Sequence, residues 1–479
     1  MRKKIILFEL NEVPLRIVDE FCRWRPKSCL AQLLPRCKQY ETFAEDSGVL
    51  SPWITWPSVH RGVSNHRHTI SEFGQDLGEV NRDFPPLWEV LARNGISTGV
   101  FGSLHSQSMP QQLDQYAFYV PDVFTAGSEC FPKKLKAFQE FNLAMTRDSG
   151  AVVSAKVHWN SAWRMLLRAS ELGLRFRTLA DTATQLFSER LENWRRIRRR
   201  THQMTLAFDV FMKQLETTLP DFCTFFTNHV ASSMHRFWAA AFPQDYSQFG
   251  LSENWVQRYS GELDFTMRHF DRMFARLVQF TQRHPEFQLM VSTSMGQAAT
   301  EAIERKVGMW IDDVSRFMSA IGMSDGEWQP RNAMVPDVNV VVSPTCIEKF
   351  RKALDDLSLG GQVVRYTQGA QGFFNLLIGR YDADEHSSPL LFRGERRRWE
   401  EFGMRNHRLQ DSGQCANHIP QGTLLIYDPA VIAAPASRTT ISTLDIAPHI
   451  IRSFGIEAPS YMRGGLAADR KQIPLARAG

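Results

Sequence analysis

The segment Lys3-Lys-Ile-Ile-Leu-Phe-Glu-Leu10 predicts the first strand of an α/β fold. It is a short apolar run, rich in Ile and Leu, and the polar turn Asn11-Glu-Val-Pro14 follows it directly. A run of this kind is typical of a parallel strand that is buried on both faces. Because ligands bind beyond the carboxyl ends of such strands, we expect Glu9 to be a site residue.

Strand and helix patterns alternate along the chain, as a doubly wound, mostly parallel sheet requires. Helices are predicted at residues 85–94, 255–283 and 442–454, and further strands at residues 97–101, 221–227, 287–293 and 423–427. Residues 151–219 are rich in Leu and Arg and predict a helical insertion, whereas residues 334–381 predict a small α+β subdomain. The core then consists of residues 1–150, 220–333 and 382–479.

The composition is that of an ordinary globular protein and excludes several classes of function. The chain has 479 residues, 43% of them hydrophobic, and its 56 basic and 51 acidic residues leave a net charge of +5. This balance does not call for a nucleic-acid partner, and we expect none. The sequence contains no P-loop and no His-Glu-x-x-His motif, which excludes P-loop NTPases and zincins.

The cysteines and the apolar runs indicate where the protein resides. Seven scattered cysteines without a Cys-x-x-Cys pair argue against a disulfide framework and a thiolate zinc site, so we expect a reducing, cytoplasmic environment. No run approaches the ~20 apolar residues of a transmembrane helix. A peripheral membrane contact stays open, because the basic run at residues 195–200 is either a solvated helix face or a contact with an anionic surface. The oligomeric state stays open as well.

The segment Ser51-Pro-Trp-Ile-Thr-Trp-Pro-Ser58 carries the strongest catalytic signal. Its Thr55 lies in a Pro-rich turn that opens a predicted helix, where unpaired N–H groups and the helix dipole favour an anionic ester. A hydroxyl there suits a nucleophile, although a simple N-cap is the alternative. Basic residues that could hold a phosphate or act as acid and base follow it: His60, Arg61, His66, Arg67 and His68. Their alternative reading is solvated helix residues and buried, hydrogen-bonded imidazoles.

Four motifs in this order carry a family resemblance. They are Thr55-Trp-Pro-Ser58, residues 227–238 with His235 and Arg236, Val291-Ser-Thr-Ser-Met-Gly-Gln297, and Asn417-His-Ile-Pro-Gln-Gly422 with His418. The order resembles that of the alkaline phosphatase superfamily, particularly its type I phosphodiesterase/nucleotide pyrophosphatase branch. The resemblance covers most of the chain outside the helical insertion, and residues 444–449 with Gly455 resemble the closing helix of that family.

The resemblance implies a role for each matched residue. Thr55 matches the nucleophile, and Ser58 matches the polar residue that contacts the transferred group. Glu9 stands where the family has the first metal-binding Asp. His235 and His418 match ligands of the other metal, so the resemblance implies Glu9, His235 and His418 as metal ligands.

Three replacements set this chain apart from the family pattern. Ala231 stands at the position of one Asp ligand, and Ser294 and Met295 replace an Asp-His pair. Because zinc sites usually draw at least three ligands from the protein, these changes argue against a two-metal centre. One divalent ion, zinc or manganese, stays open at His235 and His418, completed by Asp411, His407 or His229.

Three functions follow from these motifs. The first is a phosphodiesterase- or phosphatase-like enzyme that hydrolyses or transfers a phosphate or sulfate ester, with a reduced or absent metal centre. Its substrate would be a small anionic molecule of the nucleotide, nucleotide-sugar or lipid-phosphate kind. The second is an inactive relative that binds an anionic glycan, lipid or nucleotide. The third is a metal-independent transferase on the same fold.

Overall fold

The fold is built from short strands and α-helices that alternate along much of the chain. The computed structural model describes residues 3–107, 109–147, 158–300, 307–334, 336–378, 386–408, 415–435, 437–462 and 464–466. The strands in these ranges are β1 (Lys4–Leu10), β2 (Cys37–Phe43), β3 (Thr98–Phe101), β4 (Tyr116–Val120), β5 (Phe222–Thr227), β6 (Phe287–Ser292), β7 (Gly296–Ala299), β8 (Val307–Ile311), β9 (Trp328–Arg331), β10 (Val338–Val342), β11 (Leu357–Leu359), β12 (Gln362–Val363), β13 (Tyr366–Gln368), β14 (Phe373–Leu376), β15 (Leu390–Phe392), β16 (Glu395–Arg397), β17 (Met404–Arg408), β18 (Ala416–Ile419), β19 (Gln421–Tyr427) and β20 (Thr439–Ser442). The α-helices are α1 (Leu15–Trp24), α2 (Cys29–Leu33), α3 (Pro52–Arg61), α4 (Asn65–His68), α5 (Gly78–Asp83), α6 (Leu87–Arg93), α7 (Lys136–Arg147), α8 (Trp159–Leu166), α9 (Ala169–Leu172), α10 (Phe176–Leu191), α11 (Arg199–Thr218), α12 (His229–Ala241), α13 (Glu253–Tyr259), α14 (Glu262–Arg283), α15 (Val314–Ala320), α16 (Ile347–Asp355) and α17 (Ile446–Ser453).

An eight-stranded sheet forms the centre of the molecule, in the order β20-β2-β19-β6-β1-β5-β3-β4. Strand β1 pairs in parallel with β5 and β6, β3 pairs in parallel with β5 and β4, and β2 pairs in parallel with β20. Strand β19 is antiparallel to both of its neighbours, β2 and β6. The predicted fold class, a mostly parallel α/β sheet, is therefore confirmed.

Both faces of the sheet are covered by helices, as a doubly wound fold requires. Side chains of β1 alternate between the two faces: Phe8 packs with Phe208 of α11 and Phe270 of α14, whereas Leu7 belongs to the cluster that includes Trp56 of α3. Because successive side chains of a strand point to opposite faces, Glu9 is directed to the same face as Leu7, towards α3.

Helices and smaller antiparallel sheets lie outside the central sheet. Helices α8, α9, α10 and α11 lie within residues 151–219, the range of the predicted helical insertion, of which the structure describes residues 158–219. The small subdomain contains two antiparallel four-stranded sheets, β13-β14-β10-β9 and β12-β11-β15-β16, with α15 and α16 beside them. Its apolar cluster extends from Met309 to Met404, so it draws on more of the chain than residues 334–381. Within the described ranges, no helix is long and apolar enough to cross a membrane.

A candidate metal site at the carboxyl edge of the sheet

The carboxyl ends of β1, β5 and β6 meet at one edge of the sheet, because these three strands are parallel neighbours. The turn after β1 carries Glu12, and α12 after β5 carries His235. His418 reaches the same place from β18, which pairs antiparallel with β7 so that His418 lies opposite Gln297. Three parts of the chain that are far apart in sequence therefore contribute side chains to this edge.

Glu12, His235 and His418 form a compact cluster of potential metal ligands. Oε2 of Glu12 lies 3.0 Å from Nε2 of His235 and 3.3 Å from Nε2 of His418. All three ligand atoms lie within 4.8 Å of one another, and among the described residues this is the one group of its kind. Two ligands bound about 2 Å from a tetrahedral ion are about 3.3 Å apart, so the spacing fits a divalent metal.

Hydrogen bonds to the backbone orient both imidazoles of the cluster. Nδ1 of His235 lies 2.8 Å from the carbonyl oxygen of Ala416, and Nδ1 of His418 lies 2.8 Å from that of Leu50. A carbonyl oxygen only accepts, so each Nδ1 must carry the proton and donate it. In a neutral imidazole this leaves the Nε2 lone pair directed at Glu12, the arrangement found in metal-ligating histidines.

The carboxylate of Glu12 is held by its neighbours in an unusual backbone position. Glu12 has φ 62°, a left-handed conformation that few non-glycine residues adopt. Nδ2 of Asn11 donates to Oε1 of Glu12 at 2.7 Å, and Nε2 of Gln297 donates to Oε2. Asn11 is itself fixed, since it accepts from the indole N–H of Trp56 and donates to Asn228, both at 2.8 Å.

The charges of the cluster support one another. Burial raises the pKa of the Glu12 carboxyl, but the nearby His418 and His235 outweigh burial and hold this pKa well below its usual range. Burial lowers the pKa of His418, and the Glu12 carboxylate reverses this effect and raises it. The Glu12 side chain is nearly inaccessible, whereas His235 is 31% exposed and His418 is 19% exposed, so the cluster opens to solvent on its imidazole side.

Thr55, the candidate nucleophile, is joined to this cluster through the backbone but has no exposed surface. Its hydroxyl lies 3.1 Å from the carbonyl oxygen of Ser51 and 2.8 Å from the hydroxyl of Ser294. Ser51 is the N-cap of α3, and the preceding residue, Leu50, holds His418. Because Thr55 is fully buried, its hydroxyl is not presented to a ligand in this conformation.

Glu9 does not join the cluster and lies beneath α3 instead. Its Oε1 is 2.7 Å from Nε2 of His60, and both side chains are completely buried. Trp56 stacks on the His60 ring and Trp88 packs edge-on against it. The carboxylate beside His235 and His418 is therefore that of Glu12, three residues further along the chain.

Ser58 and Arg61 are also buried within the structure. The hydroxyl of Ser58 donates to Oδ1 of Asp46 at 2.6 Å and lies 2.8 Å from Nε2 of His68. Burial lowers the pKa of His68 to about 3. Arg61 donates from Nη2 to Asn81, and burial lowers its pKa to about 10. In contrast, His66 and Arg67 are exposed. The basic residues after Thr55 therefore do not converge on one open cleft.

The other residues considered as ligands lie apart from the cluster. His407 is exposed and pairs with Asp312 at 2.8 Å. His229 is buried and its Nδ1 bonds the hydroxyl of Thr227. Asp411 lies outside the described residues. Ala231 contributes only its carbonyl oxygen, which accepts from Gln297 at 3.2 Å.

Sequence motifs missed Glu12 and the two amides that orient it, Asn11 and Gln297. The available signal was position, because Glu12 follows the end of β1 and precedes Pro14 in a polar turn. Gln297 belongs to the motif at residues 291–297, in which only Ser294 and Met295 were compared with the family pattern. A carboxylate or amide in a turn at the carboxyl end of a parallel strand is thus a ligand candidate even when no motif names it.

No protein-family model and no curated protein sequence matches the chain, whereas solved structures do. The murine ectonucleotide pyrophosphatase/phosphodiesterase 5 matches over 97% of this chain and 98% of its own, with TM-score 0.42 and 8% identity. A TAB5 alkaline phosphatase variant with bound magnesium matches over 96% and 100%, with TM-score 0.39 and 9% identity. A phosphonoacetate hydrolase from Sinorhizobium meliloti, in complex with phosphonoformate, matches over 95% and 96%, with TM-score 0.40 and 11% identity. Over nearly its whole length, this mixed α/β chain is similar to solved alkaline phosphatase, phosphodiesterase and phosphonoacetate hydrolase structures.

Proposed function

We propose that the chain is a metal-dependent enzyme that hydrolyses or transfers a phosphate or related anionic ester, with one divalent ion held by Glu12, His235 and His418. The observation that carries this proposal is the convergence of two backbone-oriented imidazoles on a single carboxylate oxygen. Two nitrogen donors and one oxygen donor suit zinc or manganese. This ligand set contains Glu12 in place of Glu9, the carboxylate that the family resemblance implies.

A divalent ion in this position would act as a Lewis acid that polarises the ester oxygen. The chain itself supplies orientation: Asn11 and Gln297 fix the carboxylate of Glu12, and the carbonyl groups of Ala416 and Leu50 fix the two imidazoles. Three protein ligands leave coordination positions free, as in catalytic zinc sites. The exposed side of His235 and His418 is where we expect the anionic substrate to approach.

Thr55 is the proposed nucleophile, and its burial sets a condition on that role. Its hydroxyl is engaged by Ser51 and Ser294, so the segment that precedes α3 has to shift before Thr55 reaches a substrate. Ser47, Gly48 and Val49 of that segment are exposed. If Thr55 attacks, Thr55→Ala abolishes turnover while metal content and thermal stability stay near those of the wild type.

The burial of Thr55 also favours a second candidate, a relative that binds an anionic ligand without turnover. Three replacements of family-pattern ligands also favour this candidate, namely Ala231, Ser294 and Met295. In this case Thr55→Ala leaves ligand affinity unchanged, and no phosphomonoester, phosphodiester or nucleotide-sugar is turned over with added zinc or manganese. Turnover that is unchanged when a metal chelator is added would instead support a metal-independent transferase.

Metal analysis of the purified protein tests the first proposal directly. We expect about one zinc or manganese ion per chain, and its loss in His235→Ala and in Glu12→Gln. His407→Ala is the matched control, because it removes an imidazole that also pairs with a carboxylate, Asp312, outside the cluster. A metal-free wild-type protein that takes up no zinc or manganese on titration would rule out the proposed site.

A further inference from the structure

Helix α10 is built with its polar side inward. Its fully buried side chains are Thr178, Gln185 and Glu189, with Leu179 and Leu186 half-buried beside them. Gln185 donates to the carbonyl oxygen of Arg195 at 2.7 Å, and Glu189 forms a buried ion pair with Arg199. A surface helix normally directs its apolar side towards the core. Helix α10 has the reverse orientation, and its solvent-facing side therefore needs an explanation.

The solvent face of α10 is an apolar stripe. Phe176 is 86% exposed, Phe187 is 63% exposed and Leu191 is 72% exposed, with Ala180 and Ala183 exposed between them. Their spacing of four, seven, eleven and fifteen residues from Phe176 places all five on one side of an α-helix. Monomeric proteins rarely leave such a continuous apolar surface in water.

Helix α8 and the residue after it present a second stripe of the same kind. Trp159 is 60% exposed, Trp163 is 63% exposed and Leu167 is 69% exposed, with Leu166 also exposed between them. These four residues again recur at the spacing of one helical face. The two stripes lie on two helices of the helical insertion that α9 separates in the chain, and both consist of large apolar side chains with tryptophan or phenylalanine among them.

The exposed charges around these stripes are mostly positive. The exposed basic residues are Arg164, Arg168, Arg175, Arg177 and Arg190, and the exposed acidic residues are Glu171 and Glu192. On the helical wheel of α10, Arg177 and Arg190 flank the apolar stripe on its two sides. An apolar stripe bordered by arginine is complementary to a surface with an apolar interior and negatively charged head groups.

We propose that the faces of α8 and α10 form a docking surface for an anionic lipid bilayer. Phenylalanine and leucine enter the acyl boundary, tryptophan lies at the level of the head groups, and the flanking arginines contact lipid phosphates. The buried Glu189–Arg199 pair and Gln185 hold α10 against the protein, so that its apolar side stays outward. This docking surface is independent of the metal cluster and of the ester chemistry proposed for it.

The test uses the full chain with vesicles of phosphatidylcholine alone and with an equal mixture of phosphatidylcholine and phosphatidylglycerol. We expect co-sedimentation with the mixed vesicles, at least about tenfold weaker binding to phosphatidylcholine, and weakening by salt. The triple variant Phe176→Ser, Phe187→Ser, Leu191→Ser should lose binding by about tenfold or more, since it removes the inserted groups. Arg177→Gln with Arg190→Gln should lose the preference for the anionic lipid.

Ile432→Ser is the matched control, because Ile432 is 88% exposed but lies outside the helical insertion. It should bind vesicles like the wild type. All of the substituted residues are exposed, and thermal unfolding would confirm that each variant is folded. Equal vesicle binding by the triple variant, or no binding by the wild type, overturns the proposal. A dimer that the triple variant abolishes, without vesicle binding, assigns the stripe to a second copy of the chain and also overturns it.

Discussion

The Glu9–His60 pair is a hydrogen-bonded contact enclosed beneath α3. Both side chains are completely buried, and one atom of each, Oε2 of Glu9 and Nδ1 of His60, has no hydrogen-bond partner among the described residues. A buried pair of this kind contributes little over an apolar replacement, but the loss of one partner leaves the other group stranded. Glu9 and His60 therefore belong to the packing of the core.

Removal of one partner of this pair should destabilise the protein strongly. We expect His60→Ala to lower the free energy of unfolding by about 3–5 kcal/mol, because a buried carboxylate loses its partner. Glu9→Leu combined with His60→Leu should cost less than the sum of the single variants. Urea unfolding measures both effects. Glu79→Ala, at the exposed Glu79–Arg82 pair, is the control and should cost below about 1 kcal/mol.

The contrast between Glu9 and Glu12 defines how far the site could be predicted from residues. His235 and His418 could be found because their motifs keep a recognisable spacing, and the structure brings these two together. Glu9 was matched by its place at the end of the strand, but strand alternation directs it to the α3 face. The position of the Glu12 side chain depends on a left-handed φ at this residue, and the sequence Asn11-Glu12-Val13 does not predict that conformation.

At the scale of elements, β7 and β18 connect the cluster of Glu12, His235 and His418 to the sheet. Their pairing places Gln297 opposite His418, and Gln297 also donates to Glu12. Gln297→Ala should weaken zinc or manganese binding by about 10- to 100-fold, because the carboxylate loses one of the groups that orient it. Titration against a chelating dye measures the affinity. Gln329→Ala on β9 is the control, and an equal loss there would contradict the assigned role.

Strand β3 depends on a glycine for its packing against β4. A Cβ atom added to Gly99 would lie 2.3 Å from the ring of Phe118, which is fully buried. Gly99→Ala should therefore lower the free energy of unfolding by about 1–3 kcal/mol through overpacking. Gly261→Ala is the control, since no atom lies within 4 Å of its added Cβ, and thermal unfolding compares the two. Equal stability of the two variants would contradict this account.

Elements with a strong apolar run were predicted, and those without one were missed. The prediction for residues 221–227 corresponds to β5 and that for residues 287–293 to β6, each within about one residue. Strand β2 was missed because its sequence Lys-Gln-Tyr-Glu-Thr is polar and only partly buried near one side of the sheet. The helix predicted over residues 255–283 is two helices, because Ser260 and Gly261 interrupt the helical conformation between α13 and α14.

At the scale of the whole molecule, buried histidines set the response to acid. Five imidazoles have their pKa lowered mainly by burial: His68 and His105 to about 3, His202 and His229 to about 4, and His269 to about 2. In the unfolded chain they take up protons below pH 6.5, whereas the folded protein does not. The free energy of unfolding therefore falls as the pH drops from 6.5 towards 4.

This slope can be assigned to individual histidines. Each imidazole that stays neutral contributes a loss of about 1.4 kcal/mol per pH unit, so His202→Gln should reduce the slope below pH 6.5 by that amount. Urea unfolding at several pH values gives the slope independently of the absolute stability of the variant. His66→Gln, at an exposed imidazole, should leave the slope unchanged. A slope in His202→Gln equal to that of the wild type would contradict the assignment.

Asp122 acts in the opposite direction. Burial raises its pKa to about 7, although N–H groups of Phe124 and Ser106 oppose this effect. The folded protein therefore keeps a proton that the unfolded chain has released above pH 3.8, and the stability due to this group falls as the pH rises towards 7. Over this window the contribution of Asp122 therefore opposes those of the five buried imidazoles.

The order of strands in the sheet lay beyond sequence reasoning. Local patterns predict that β1, β5, β6 and β19 exist, and the alternation with helices predicts a parallel sheet. The patterns do not say that β19 runs antiparallel between β2 and β6. That placement depends on pairing between residues 37–43 and 421–427, which are separated by most of the chain.

The insertion of β19 between β2 and β6 has a consequence for biosynthesis. While the ribosome is still translating residues before Gln421, β2 lacks the strand that joins it to the sheet, and β6 exposes an unpaired edge. At about 5–20 residues per second, this interval lasts roughly 20–80 s for β2 and roughly 6–26 s for β6. His418 emerges from the ribosome in the same late segment, so a nascent chain brings His418 to Glu12 and His235 at the stage at which β19 joins β2 to β6.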